Sequence, residues 1–371
     1  MKIIFICGSL EPGKDGVGDY TRRLCGELLK QGVMVGMLAY NDKHLHYKME
    51  TIQESDGHTI PSLRLPHTWK SKVRCKEAKN WIASHNPEWL SLQFVPYAFH
   101  HKGLPFGLGN QLKRMGTNYK WHIMIHELWI GMSQQSTLKD KCIGQVQRII
   151  IKKLLLKLVP KVIHTQTDLY KHHLQQLEFE ASILPLFSNI SYVESDFHTN
   201  KSIAEFNLPE KYLVLFGSIH KNAPIEEFVK ELSELDKEKT FSFVALGRNG
   251  GELQYWKSII EKYGFDIMVL GEQSAESISY VLSHATFGMA TTPYYLIEKS
   301  GSVAAMHQHN LPVICLSKPW MPNKFIRSNK LKGVEEYKTG NLEACIANDT
   351  KMETGDISIS NITISFLKTL N

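Results

Sequence analysis

Short, wholly apolar runs alternate regularly with longer stretches that carry apolar residues at helical spacing, and this constrains the fold more than any other feature. Met1–Cys7, Gly32–Tyr40, Trp89–Val95, Tyr119–Ile125 and Val162–Thr165 read as strands; Asp19–Lys30, Lys76–His85 and Ile143–Val159 read as helices between them. Strands that are apolar at nearly every position must be covered on both faces, which points to a parallel sheet with helices on either side. The pattern lapses around Phe187–Glu205, then resumes with strands at Tyr212–Gly217, Thr240–Leu246, Phe265–Leu270, Thr286–Thr291 and Pro312–Leu316. Helices at Ile225–Leu235, Gly251–Tyr263, Ala275–Ser283 and Gly301–His309 fill the gaps. Two such series, and a length of 371 residues, favour two α/β domains over one core. The first is placed at 1–195 and the second at 196–355, with a helix in 356–371 (Ile359–Leu370) packing back across them.

Hydrophobic content of 43% and charged content of 22% are those of a soluble globular protein. No run approaches the roughly 20 apolar residues that span a bilayer. The apolar opening Ile-Ile-Phe-Ile-Cys ends in Gly8-Ser9, which suits a first strand better than a signal sequence. The six cysteines are scattered without paired spacing and read as reduced thiols of a cytoplasmic protein. Seventeen histidines form no metal-binding spacing. His122 and His126 lie on one strand, roughly 13 Å apart, too far for one ion. No metal is expected.

Two turns are suited to an anion. Gly8–Tyr20 follows the first strand and contains Gly16-Val17-Gly18; Thr291–Ser302 follows a later strand and contains Glu298-Lys299-Ser300-Gly301-Ser302 where a helix begins. A helix N-terminus offers unpaired N–H groups and the positive end of its dipole, and so holds phosphate well. In open α/β sheets ligands bind beyond the carboxyl ends of the strands, where both turns fall. One ligand with a diphosphate, held between the two domains, would use both.

Gly16–Thr21, His126-Glu127-Leu128-Trp129, and Lys299–Ser302 with Leu311–Ile314 together resemble the family 4 type of retaining GT-B glycosyltransferases, over essentially the whole chain. The resemblance implies two Rossmann-like domains with parallel sheets facing a central cleft. It implies a nucleotide-diphosphate sugar as donor, bound mainly by the C-terminal domain, a glycan or lipid-linked acceptor on the N-terminal side, and transfer with retention and without metal or cofactor. Bacterial cell-surface polysaccharide assembly is the setting it implies. His126 would contact the donor sugar and Glu298 would accept a sugar hydroxyl. Lys221, Lys299 and the Ser300, Gly301 and Ser302 amides would meet charge on the leaving diphosphate, while Gly16, Val17 and Gly18 approach it through backbone. The chain departs from the family at two points: Met306 stands where a second glutamate is usual, and Ser218 stands in the region of a usual arginine.

Simpler readings stand beside these. Gly16 and Gly18 could form only a βα turn, Lys221 and Lys299 could be solvated lysines, and Glu127 is either a general acid/base partner or, the favoured reading, a helix cap. Arg248 could face nucleotide or solvent. On the same architecture, a sugar-nucleotide epimerase or a non-catalytic nucleotide-sugar-binding protein is the alternative. Seven basic residues and one acid, Asp140, lie between Lys139 and Lys161. Lys141, Gln145, Arg148 and Lys152 fall on one helical stripe, widened by Lys153, Lys157 and Lys161. The stripe is either a solvated face or a contact for an anionic membrane surface, which would hold the protein at the inner face of the membrane. Without interleaved aromatics it argues against nucleic acid.

Overall fold

A computed structural model describes residues 1–116, 118–193, 206–327, 330–347 and 358–371. The chain divides into two compact units: Met1–Pro185 with Pro322–Phe325 and Ile359–Asn371, and Leu186–Met321 with Ile326–Ser358. The boundaries expected at 195 and 355 lie outside the described residues.

In the first unit the elements run β1 (Lys2–Cys7), α1 (Gly16–Lys30), β2 (Met34–Asp42), β3 (Met49–Ser55), β4 (His58–Pro66), α2 (Ser71–His85) and β5 (Trp89–Phe94). They continue with α3 (Pro96–Phe99), α4 (Leu108–Met115), β6 (Lys120–Ile125), α5 (Leu138–Leu158), β7 (Val162–Thr165), α6 (Asp168–Gln175) and β8 (Ser182–Ile183). The eight strands form one sheet in the order β3-β4-β2-β1-β5-β6-β7-β8. Every neighbouring pair is parallel except β3 and β4. The expected all-parallel sheet therefore carries one antiparallel edge hairpin. Asp56 and Gly57, both at positive φ, make its two-residue turn, the geometry that Asp-Gly favours.

The second unit runs β9 (Tyr212–Phe216), α7 (Ile225–Leu235), β10 (Ser242–Leu246), α8 (Leu253–Lys262), β11 (Ile267–Gly271), α9 (Ala275–His284) and β12 (Phe287–Ala290). A 3-10 turn at Tyr294–Lys299 then leads into α10 (Gly301–Gln308), β13 (Val313–Cys315), β14 (Val334–Glu336) and α11 (Leu342–Ala347). Its six strands are all parallel, in the order β11-β10-β9-β12-β13-β14. Successive residues of β9 feed opposite cores: Leu213 and Leu215 pack with Phe228 and Trp256, and Tyr212 and Val214 with Val281 and Val303. Full burial of each such side chain is worth about 1.5–3 kcal/mol, so a strand read as apolar throughout can only be central.

The last helix, α12 (Ile359–Leu370), belongs to the first unit. Its buried Phe366 lies 6.1 Å from Phe5 and 5.0 Å from His122, ring centre to ring centre. Both sheets reverse strand order at their centre: chain progression leaves β1 for β2 on one side and β5 on the other, and leaves β9 for β10 and β12. Loops at these switch points diverge and leave a crevice beyond the strand ends. In the first unit those loops are Gly8–Asp15 and the turn after β5; in the second they are Gly217–Pro224 and Thr291–Ser300.

Candidate functional site

In the second unit, the loops after β9, β10 and β12 are tied together by main-chain and polar contacts. His220 donates its N–H to Thr291 Oγ1 at 2.9 Å, its Nδ1 lies 3.0 Å from the Thr291 carbonyl, and Thr291 Oγ1 donates to the Ser218 carbonyl. Asn249 Nδ2 donates to the carbonyls of Gly217 and Leu246 at 2.9 and 3.3 Å. Asn249 is buried, and its Oδ1 has no partner. Gly217, at φ +86°, turns toward α10: a Cβ there would lie 3.6 Å from the Cβ of Ser302.

α10 starts beside this loop. Ser300 caps it weakly, its hydroxyl accepting from the Val303 N–H at 3.5 Å and lying 3.1 Å from the Ser302 hydroxyl. Helix geometry leaves the first-turn amides of Gly301 and Ser302 without an i−4 carbonyl, and Gly301 is exposed, with no atom within 4 Å of where a Cβ would stand. Half-buried Lys299 adjoins the cap and Lys221 is exposed after β9. Two ammonium groups, two hydroxyls and a weakly capped helix start are therefore assembled on the switch-point loops of one unit.

Glu298 is not an open carboxylate. Arg327 holds both its oxygens at 2.7 Å and lies over the rings of Tyr294 and Tyr295. The arginine missing near residue 218 is thus not the only one in play, though nothing local in sequence joins 327 to 298. Met306 is buried in the core, so the usual second glutamate has no counterpart facing the loops. Arg248 pairs with Glu272 at 2.7 Å on the surface.

The first-unit turn is built differently. The helix begins at Gly16, three residues earlier than read from sequence, because the Asp15 carboxylate caps the Val17 and Gly18 amides at 3.1 and 2.9 Å. Those two amides present no open donor in this arrangement. Gly18 is buried, and a Cβ there would stand 2.5 Å from the Ser9 carbonyl oxygen, so its lack of a side chain lets α1 approach the loop; Gly16 is exposed and faces open space. The loop is pinned by fully buried Asp42, which takes Ser9 Oγ at 3.0 Å, the Leu10 N–H at 3.3 Å and Arg64 Nε at 2.8 Å. Arg64 and the Leu10 N–H hold the Asp42 carboxyl below its ordinary range against the opposing effect of burial, which is the largest single influence.

His126 follows β6, buried beneath the edge of Tyr20 at 5.0 Å. It ends a buried polar chain that crosses three strands. Nε2 of His126 meets Gln93 Oε1 at 2.9 Å, Gln93 Nε2 donates to Ser91 Oγ at 2.8 Å, Ser91 meets His122 Nδ1 at 2.7 Å, and His122 Nε2 meets His164 Nδ1 at 3.0 Å. Gln93 can accept only at Oε1, so His126 carries its proton on Nε2 while Gln93 in turn donates to Ser91. Burial keeps His122 and His164 neutral, holding His164 at about 4 and His122 well below the usual imidazole range. The other His126 nitrogen, Nδ1, lies 3.4 Å from Gln166 Nε2. None of this chain besides His126 was legible in the sequence.

The basic helix is α5, and its expected stripe is partly engaged. Arg148 lies over Trp129 and Lys152 pairs with Glu178 at 2.9 Å. The exposed positions of α5 mix Lys139, Gln145, Lys153 and Lys157 with Leu138, Cys142, Val146, Ile149 and Leu156. Among the described residues no helix is long and apolar enough to cross a membrane, and no three His, Cys, Asp or Glu side chains gather as a metal site.

No protein-family model matches this sequence, and no curated protein does. Structures do. HepE from Anabaena, in complex with UDP and glucose, matches with a TM-score of 0.65 at 13% identity, covering 100% of this chain and 99% of that one. The fold is GT-B. The lipopolysaccharide outer core galactosyltransferase WaaB, in its apo form, matches over 100% and 99% of the two chains with a TM-score of 0.57 at 13% identity. The UDP-GlcNAc 2-epimerase of Methanocaldococcus jannaschii matches over 100% and 99% at 0.55 and 9% identity. At these identities the likeness is one of architecture: two α/β domains of the GT-B type.

Proposed function

We propose that this chain is a retaining, metal-independent glycosyltransferase that moves a sugar from a nucleotide-diphosphate donor to a glycan or lipid-linked acceptor. The observation that carries this reading is the weakly capped start of α10, flanked by Lys299 and set against the Gly217 loop. When a sugar–diphosphate bond breaks, negative charge builds on the departing phosphate. Donors already fixed in place stabilise that charge without reorganising, each worth roughly 3–4 kcal/mol in comparable sites. Lys299, Lys221 and the Gly301 and Ser302 amides supply this here. Asn249, through its two Nδ2 bonds, holds the Gly217 loop in place beside that helix start. His126, placed just beyond the carboxyl end of β6, would contact the donor sugar, and Glu298 with Arg327 fixes the 3-10 turn that delivers Lys299.

A cytoplasmic setting, and attachment at the inner membrane face through α5, belong to the same reading: Lys153 and Lys157 would meet anionic headgroups while Ile149 and Leu156 enter the interface. Incubation with UDP-, GDP-, ADP- and CMP-sugars, with nuclear magnetic resonance of the anomeric proton of the product, tests the reading. Retained configuration in a transferred or hydrolysed sugar supports it; inversion, or no turnover with any donor, removes it. The epimerase match makes a second outcome concrete, an isomerised sugar nucleotide with no acceptor consumed.

A further inference from the structure

Arg74 stands on α2 beside the carboxyl end of β2, half buried, with its Nη1 donating to the Tyr40 carbonyl at 3.0 Å and to Asn41 Oδ1. Its guanidinium carbon lies 5.0 Å from the centre of the Tyr40 ring. Arg22, Arg23, Arg64 and Arg327 each face a carboxylate. Arg74 faces none among the described residues, and its Nε is enclosed without a partner. A cation withdrawn from water without a counter-ion is costly, and burial does lower its proton affinity.

The guanidinium borders a cavity of about 260 Å³ whose lining includes Asn41, His100, Phe106 and Gln111 and not one acid. The Nδ1 of His100 accepts the Lys102 and Leu104 amides, each at 3.3 Å, leaving Nε2–H as its donor. Gln111 Oε1 accepts from Tyr40 OH at 2.8 Å, leaving its amide NH₂. An arginine Nη2 group, an imidazole N–H and a carboxamide thus line one cavity at a strand end of the first unit, with Phe106 exposed at its border.

We propose that this cavity is an oxyanion subsite, and, resting on the transferase reading, that it holds the phosphate or carboxylate carried by the acceptor. The bound oxyanion is the counter-ion that Arg74 lacks, taken by Nη2 while the bonds from Nη1 to the Tyr40 carbonyl and Asn41 hold the guanidinium in place.

Calorimetric titration of the full chain with inorganic phosphate and, separately, with glucuronate tests this, with UDP present at saturation to occupy the donor site, and in its absence should UDP not bind. Saturable binding of either anion is expected, weakened at least tenfold in Arg74→Gln and partly restored in Arg74→Lys. Phosphate alone identifies a phosphoryl acceptor, glucuronate alone an acidic sugar. No saturable binding of either, or equal binding by a folded Arg74→Gln, overturns the proposal. Should Arg74→Gln not fold, His100→Leu is read instead, and unchanged anion binding there overturns it equally. Failure of UDP to bind counts against the transferase reading and leaves the anion result to stand by itself.

Discussion

Two glycines, alike in sequence terms, should respond oppositely to an added methyl group. At Gly301 a Cβ meets nothing within 4 Å, and alanine is the better helix former by up to ~1 kcal/mol. Gly301→Ala should therefore melt at or slightly above the wild-type temperature. At Gly18 the methyl would stand 2.5 Å from the Ser9 carbonyl oxygen, a main-chain atom of the loop that Asp42 pins. Relief requires α1 or that loop to move, and overpacking of this kind costs about 1–3 kcal/mol, each kcal/mol lowering the melting temperature by roughly 2–4 °C. Binding reverses the ranking. The methyl at Gly301 occupies the space through which a phosphate reaches the Gly301 and Ser302 amides. Loss of one charge-assisted hydrogen bond, about 1.5–3 kcal/mol, weakens UDP at least tenfold. Differential scanning fluorimetry and calorimetric titration with UDP, run on both variants, separate the two effects. A folded Gly301→Ala that binds UDP as tightly as wild type refutes the reasoning.

Lys299→Ala should reduce turnover by roughly a hundredfold or more; near-normal turnover in a donor assay contradicts its role at the leaving phosphate. Arg327→Met leaves the Glu298 carboxylate without its fork and should destabilise by up to about 3 kcal/mol, whereas adding Glu298→Gln should recover much of the loss; denaturant unfolding of both variants reads this. His164 is held neutral, at about 4 against 6.5 for a free imidazole, so the unfolded chain binds more protons between those values. The stability this represents is present above pH 6.5 and is lost as pH falls toward 4, roughly 3 kcal/mol from this residue. A folded His164→Gln should show a flatter loss of unfolding free energy over that window, and an unchanged slope would deny His164 this part.

The fold was legible where burial is two-sided. Strands such as Tyr212–Phe216, apolar at every position, admit only a central place in a covered sheet, and the order of strand and helix followed. The β3–β4 hairpin was missed because β3 is half solvated: Met49–Ser55 alternates rather than running apolar. The Asp56-Gly57 turn was the signal that could have revealed it. The start of α1 was misplaced because Asp15, an ordinary N-cap residue, was read as loop. Of the candidate site, the segment 298–302 could be seen because its residues are contiguous. Arg327 on Glu298, His220 on Thr291, and the cross-strand links between His126 and His164 join residues 29 to 71 positions apart, and no local pattern encodes such pairings. Arg74 escaped notice for the complementary reason: what marks it is the missing carboxylate, which only three-dimensional packing exposes.

The most direct measurement is a crystal structure of the chain with UDP or a UDP-sugar bound. The diphosphate oxygens are expected within hydrogen-bond distance of the Gly301 and Ser302 amides and of the Lys299 ammonium group. A diphosphate bound elsewhere, with the start of α10 left to solvent, would contradict the account.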